Sequence, residues 1–346
     1  MVDDQSRTCF MKSIQWPSMK DELWRQSGIW TLERPEALQS ASVVQNDFCL
    51  QEVVADGSNS FNFTHHEDFL LSQMGPTQSL ALIDGQYSYQ LAVSASALSV
   101  SFKIDGKVNI DFQQAMSDQG WQLRVFEFYV AKGAALAITS QVNQPDSQSM
   151  VLWLIHQEQD SVLNFSREHI EGAFVRDHVC VNQIGANASS FLHGLYAAHQ
   201  QQLSEHIWTV SHQAPGGRSV QKLRGILNDN ARSVAISQVK VIKGLHGIES
   251  EQRLDHILLS DQAAVHTRPQ LEILSDDVMC QHGITVGAID EMALFYLQSR
   301  GIDQMLAMQL LARGFFEKIW TGELSELMLE KLAEVIDEAG RHEFSK

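Results

Sequence analysis

At 346 residues, with 44% hydrophobic and 19% charged side chains, the chain can bury a large core as one elongated domain or two compact ones. Its 42 acidic residues against 25 basic ones give a formal charge of −17. That surface repels phosphate backbones and anionic lipid, which argues against nucleic acid or a membrane as partner.

The first ten residues, Met1 to Phe10, carry Asp3 and Asp4 and lack the apolar stretch of a secretory signal. Four scattered cysteines, Cys9, Cys49, Cys180 and Cys280, make neither a CxxC pair nor a disulfide framework. They read as reduced thiols, and the protein as cytoplasmic. Ser18 is placed to cap a helix through Lys20, Asp21, Glu22, Leu23, Trp24 and Arg25, stopped at Gly28. Pro35 closes this N-terminal helical segment, residues 1–35.

From about Ala41 to Thr285 short apolar or alternating runs recur between Gly, Asn, Asp and Ser. Leu80 to Ile83 precedes Asp84-Gly85, and Leu98 to Phe102 precedes Asp105-Gly106. Val151 to Ile155, His206 to Val210, Val234 to Ile236, Val239 to Ile242 and Ile257 to Leu259 follow. Runs of this length with β-branched and aromatic content predict strands, and Asp-Gly is turn chemistry. Between Ser140 and Ile284 no segment carries a convincing helical stripe; His193 to Gln202 comes nearest, weakened by Gly194. Without crossover helices a doubly wound α/β sheet is excluded, leaving a sandwich, a barrel or a β-solenoid. No fixed repeat is apparent that would choose among them.

Beyond Gly287 the pattern turns helical. Asp290 caps a helix bearing Leu294, Phe295 and Leu297, which Gly301 ends. Asp303 caps a second, with Met305, Met308, Ala312, Phe315 and Ile319 on one face. Leu324, Met328, Leu332 and Val335 mark a third. Such a stripe is ordinarily core, whereas its Met and Phe content also suits an adaptable partner surface.

Catalytic signatures are missing: there is no GxGxxG after a strand, P-loop, HExxH or GxSxG elbow. Gly216-Gly217-Arg218-Ser219 reads as a turn, and His65-His66-Glu67-Asp68 as a solvated loop. Cys280-Gln281-His282 is the one local pattern with coordination potential. In a strand, residues two apart face one side, so thiol and imidazole are neighbours. Two ligands do not hold a cluster or a tetrahedral metal, so the plain alternative is a buried structural thiol beside a hydrogen-bonded ring.

These residues belong to a longer pattern. Leu271-Glu272-Ile273, Asp276-Asp277-Val278, Cys280, His282-Gly283, Thr285 and Gly287 resemble the signature of the SufB/SufD family of iron–sulfur cluster assembly proteins. Asp290 and the run Leu294 to Ile302 resemble its next segment. Ser219, Gln221, Arg224, Gly225 and Leu227 fit upstream, and Pro17 to Leu32 is similar to its start. The chain is closer to the SufD branch than to SufB, being shorter than SufB and poorer in cysteine.

The resemblance implies a mainly β fold: a right-handed parallel β-helix core, residues 36–286, flanked by the N-terminal helical segment and a C-terminal helical module, residues 287–346. It implies a non-catalytic scaffold of the SUF complex that pairs with a SufB paralogue and docks the ATPase SufC. Phe295, Tyr296, Arg300, Met305, Met308, Phe315 and Phe316 are then expected to bind the partner. His282 would ligate a transient iron–sulfur cluster shared with SufB, Cys280 would support it, and the isolated chain would carry no cofactor. The alternatives are a β-helix polysaccharide lyase or hydrolase and a homodimer with a storage or adaptor role.

Overall fold

The structure, a computed structural model, describes residues 78–91, 97–114 and 120–343. The N-terminal helical segment, Cys9, Cys49 and the cluster from His65 to Asp68 lie outside the described residues.

Among the described residues fourteen strands, every pair of them parallel, join in one continuous sheet whose two faces of the coil, the first and second sheet, share strands β6 (Ala135–Gln157) and β7 (Val162–Gln183). The first runs through β2 (Gly85–Leu91), β4 (Lys107–Gln114), the first halves of β6 and β7, then β8 (Ser189–Ala198), β10 (Arg218–Leu227), β12 (His246–Leu258) and β14 (Asp277–Gly287). The second runs through β1 (Gln78–Leu82), β3 (Ala97–Ile104), β5 (Gly120–Val130), the second halves of β6 and β7, then β9 (Leu203–His212), β11 (Arg232–Val241) and β13 (Ala264–Ile273). The chain crosses from one sheet to the other and back in each of about six turns. This is the parallel β-helix that the resemblance implies.

A repeat does exist, and only the register reveals it. Positions 108, 136, 163, 190, 219, 250 and 280 stack in one column, 27 to 31 residues apart. The residues there are Val, Leu, Leu, Ser, Ser, Ser and Cys, so stacking geometry recurs without sequence identity. His193 to Gln202 proves to hold most of β8 rather than a helix. Gly194 lets the Trp208 ring pass across it, since a Cβ there would lie 2.7 Å from that ring.

The interior changes character along the axis. In the N-terminal coils it is aromatic: Phe102 stacks on Phe128 with centroids 4.8 Å apart, and Trp153 meets Phe126 at 4.8 Å and Phe165 at 5.2 Å. Each such contact adds about 0.5–1.5 kcal/mol beyond area burial. Arg167 and Asp177 form an ion pair of 2.8 Å inside the barrel of side chains, and Trp153 Nε1 donates to Asp177 at 3.0 Å. Towards the C-terminal coils the interior fills with serine, glutamine and histidine.

Three helices follow the strands among the described residues: α1 (Glu291–Ser299), α2 (Gln304–Glu317) and α3 (Glu326–Glu343). Asp290 accepts from the backbone N–H groups of Met292 and Ala293, and Asp303 from that of Met305, as the caps predict. Met308, Ala312, Phe316, Met328, Leu332, Val335 and Ile336 pack on Ile170, Leu195, Ala197 and Ile226 of the first sheet. Polar contacts tie the same interface. Asn228 Nδ2 donates to the Val335 carbonyl at 3.1 Å, Arg224 bonds the Phe315 carbonyl, and Lys331 Nζ bonds Glu171.

Met308 and Phe316 therefore do not offer a partner surface: they are 8% and 0% exposed, part of the chain's own core. Apolar side chains at helical spacing go to whichever apolar face is nearest, and here the solenoid supplies it. Replacing Phe316 by alanine should destabilise the chain by about 3–5 kcal/mol, lost aromatic burial plus cavity. Urea unfolding followed by tryptophan fluorescence reads this directly, and a change below 1 kcal/mol would disprove tight docking of the module.

Candidate functional site

The solenoid ends in an open coil. Among the described residues β14 pairs only with β12, and β13 only with β11, so each presents one edge of unpaired backbone donors and acceptors. An uncovered sheet edge is a template for further strands or another chain. Around it lie exposed apolar side chains: Met279 is 71% exposed, Ile284 44% and Val286 45%.

Strand geometry places the ligand candidates at this rim. Val278, Cys280 and His282 alternate onto the inward side of β14, in register with Ile248, Ser250 and Gln252 of β12. On β12 those positions are buried. One coil later no described strand lies above them, and Cys280 is half-buried and His282 exposed. The same inward side is thus sealed in the penultimate coil and open in the last. Against the plain alternative of a buried structural thiol beside a hydrogen-bonded ring stands a thiol that is only half-buried. Partial burial pushes the Cys280 thiol pKa up, which keeps it protonated and weakens it as a ligand until a cation approaches.

His282 and Cys280 have no third metal-binding neighbour among the described residues. The groupings of carboxylate and imidazole that do converge lie elsewhere, around His199 with Glu171 and Glu334, and with Asp229 and Glu338. Glu171, His199 and Glu334 already surround a cation, the Lys331 ammonium, which lies 3.1 Å from Glu334 and 2.5 Å from His199 Nε2. That network fastens α3 to the solenoid. Cys180 is on the opposite sheet, its sulfur 3.3 Å from His178 Nε2.

A second set of expected contacts lies on the helices. Phe295 is 65% and Tyr296 58% exposed, with the Arg300 guanidinium 5.2 Å from the Tyr296 ring. Met305 is half-buried, and Phe315 packs under Arg224 at 4.5 Å. Met292 and Leu306, not singled out from the sequence, extend the exposed apolar face. A helical wheel alone cannot separate them from core residues, because both sides of α1 and α2 are apolar.

Residues 88–315 match the family model described as "SUF system FeS cluster assembly, SufBD core domain". The chain belongs to the SufBD family. Its relatives include the iron–sulfur cluster assembly protein SufD of Escherichia coli, 31% identical over 170 residues, 48% of this chain and 38% of that one. Protein ABCI7, chloroplastic, of Arabidopsis thaliana is 26% identical over 237 residues, covering 67% of this chain and 50% of the relative. A SufBD family protein of Synechocystis is 27% identical over 197 residues, covering 56% and 43%. The matches thus span half or less of these relatives' own length. Membership leaves the carbohydrate-enzyme alternative without support. Among the described residues no helix is long and apolar enough to cross a membrane.

Proposed function

We propose that this SufBD chain is a non-catalytic scaffold subunit in iron–sulfur cluster assembly, working in the cytoplasm as half of a heterodimer with a SufB-type paralogue. The observation that carries the reading is the position of His282: a ligand-type side chain exposed at the open rim, with too few neighbours to hold metal alone. A thiolate from a second subunit docked on the coil edge would complete the set, with the nascent cluster as cargo and Cys280 in support. A neutral imidazole is required, because a protonated ring has no lone pair to give.

The domain plan follows: a leading segment over residues 1–35, the solenoid to 286, and residues 287–346 as a docking module. Phe295, Tyr296 and Arg300, with Met305 and Phe315 at its margin, form the face that meets a SufC-type ATPase. ATP-driven movement of that partner would pull on helices packed against the solenoid, and a stacked solenoid transmits force as a rigid rod.

Co-expression with a SufB paralogue and SufC, followed by native mass measurement, tests this. The expected species holds one copy of this chain, one paralogue and two ATPase subunits. Recovery of this chain only as a homodimer, with neither partner, would overturn the scaffold assignment.

A further inference from the structure

The inward column that ends at His282 contains a directed chain of hydrogen bonds. Gln252 Nε2 donates to Ser237 Oγ at 2.8 Å and to the Gln270 carbonyl at 3.4 Å. Ser237 Oγ donates in turn to Gln221 Oε1 at 2.9 Å, and Gln221 Nε2 to the Gln238 carbonyl at 3.3 Å. A backbone carbonyl only accepts, so each carbonyl fixes which end of its amide carries nitrogen. The Gln252–Ser237–Gln221 bonds lead away from the rim, while the second Gln252 bond crosses to Gln270 on β13. The last group of the chain, on the rim side, is therefore an acceptor: Gln252 Oε1.

That oxygen is sealed from solvent and has no hydrogen-bond partner, on a side chain only 1% exposed. A buried acceptor left unpaired costs about 1–3 kcal/mol, so a donor should exist for it. The neighbours leave few choices. The Ser237 proton is committed to Gln221, and the rung beyond Ser237 is Pro269, which has no N–H. Gln221 is held on both ends, accepting from Ser237 and donating to the Gln238 carbonyl, and its second N–H makes no bond to Gln252. Ser250 accepts from Ser219 and keeps a proton of its own, but it stands two residues along the same strand, about 6.6 Å away, and no bond joins it to Gln252. Among the described residues the donor left free to turn towards it is the register partner one rung above, His282, which is exposed at the rim, whereas Gln221 and Ser250 are held in place by their own bonds. Adjacent rungs are about 4.8 Å apart, within reach of these two side chains.

We infer that Gln252 is a positioning residue for His282: its Oε1 takes one imidazole N–H, fixing the tautomer and directing the other nitrogen's lone pair out of the rim. This rests on the reading of His282 as a ligand and adds what aims it. Metal-binding histidines are commonly held this way by an acceptor on the far nitrogen.

The test is the tautomer ratio of His282 in the full chain, from long-range nitrogen–proton correlation spectra of histidine-labelled protein above pH 8, assigned by loss of the signal in His282→Asn. One tautomer should dominate by roughly fivefold to tenfold, the worth of one neutral hydrogen bond. In Gln252→Met, which keeps side-chain volume and removes the acceptor, the excess should vanish. In Gln221→Met, one rung deeper, it should persist, which a general loosening of the coil would not allow. An equal mixture in the unmodified chain, read without any substitution, overturns the inference, as does an unchanged ratio in Gln252→Met. If the tautomer is fixed but His282→Ala assembles clusters normally, the ligand reading falls while the Gln252 contact stands.

Discussion

Lowering the pH from 6.5 to 4.5 should unfold this protein, with stability falling by about 3 kcal/mol per pH unit. The cause is the histidine-filled interior. Burial there pulls His212 and His256 down to about 4 and His169 to about 3 and holds His206 well below the ordinary imidazole value, while His156, half-buried against Tyr129 on the outer side, is pulled to about 4 as well. Around them Tyr196 lies 4.6 Å from the His206 ring and His169 5.7 Å from it, with Arg167 adding a repelling charge to His169 and His206. A depressed folded pKa contributes stability that is complete above the unfolded value near 6.5 and drains away as pH falls towards the folded one. Three buried carboxyls work the other way. Burial raises Glu127 and Asp177, and raises Glu205 to about 7 despite the Arg176 guanidinium 2.5 Å from it. Each gains stability as pH falls. His199, which burial lowers but its Glu171 and Glu338 bonds raise overall, and His193, lowered by burial, offset each other, so five imidazoles against at most three carboxyls leave an excess of about two protons bound by the unfolded chain, each worth about 1.4 kcal/mol per pH unit. Against a total stability of roughly 5–15 kcal/mol this is large. Urea denaturation at pH 7.5, 6 and 5 measures it; a flat dependence would mean that the buried rings are not the neutral, sealed groups described.

Replacing His282 by alanine should abolish cluster assembly while leaving fold and complex intact. The side chain is exposed on an edge strand, so its removal should change stability by no more than about 0.5 kcal/mol. Loss of even an outer-shell partner lowers metal affinity by roughly 10–100-fold, and loss of a ligand should do no less. The measurement is iron and sulfide content of the co-purified complex, together with its mass and its melting temperature. Normal cluster content would remove His282 from the site, whereas an unfolded or dissociated complex would show that the ring has a structural duty. Cys280→Ser, altering a half-buried protonated thiol beside the proposed ligand, should have the smaller effect.

Much of the candidate site is readable in the primary structure, including a trace of its supports. Ser219-Val220-Gln221, Ser250-Glu251-Gln252 and Cys280-Gln281-His282 are one motif repeated on successive coils, with serine and glutamine giving way to cysteine and histidine at the last. Spacings of 31 and 30 residues joined only two positions per repeat, so the pattern shows once the register is known and hardly before.

What the sequence alone determined is what short-range physics governs. Alternation of side chains in a strand put Cys280 and His282 on one face, Asp290 and Asp303 started helices, and the lack of crossover helices ruled out a doubly wound sheet. The tertiary structure decided which coil is last and uncovered, that Met308 and Phe316 are core while Phe295 and Tyr296 are not, and that Gln252 ends in an unanswered acceptor. The division follows from distance along the chain: local rules act over a few residues, whereas a solenoid brings together groups about 30 positions apart through backbone pairing that is indifferent to side-chain identity.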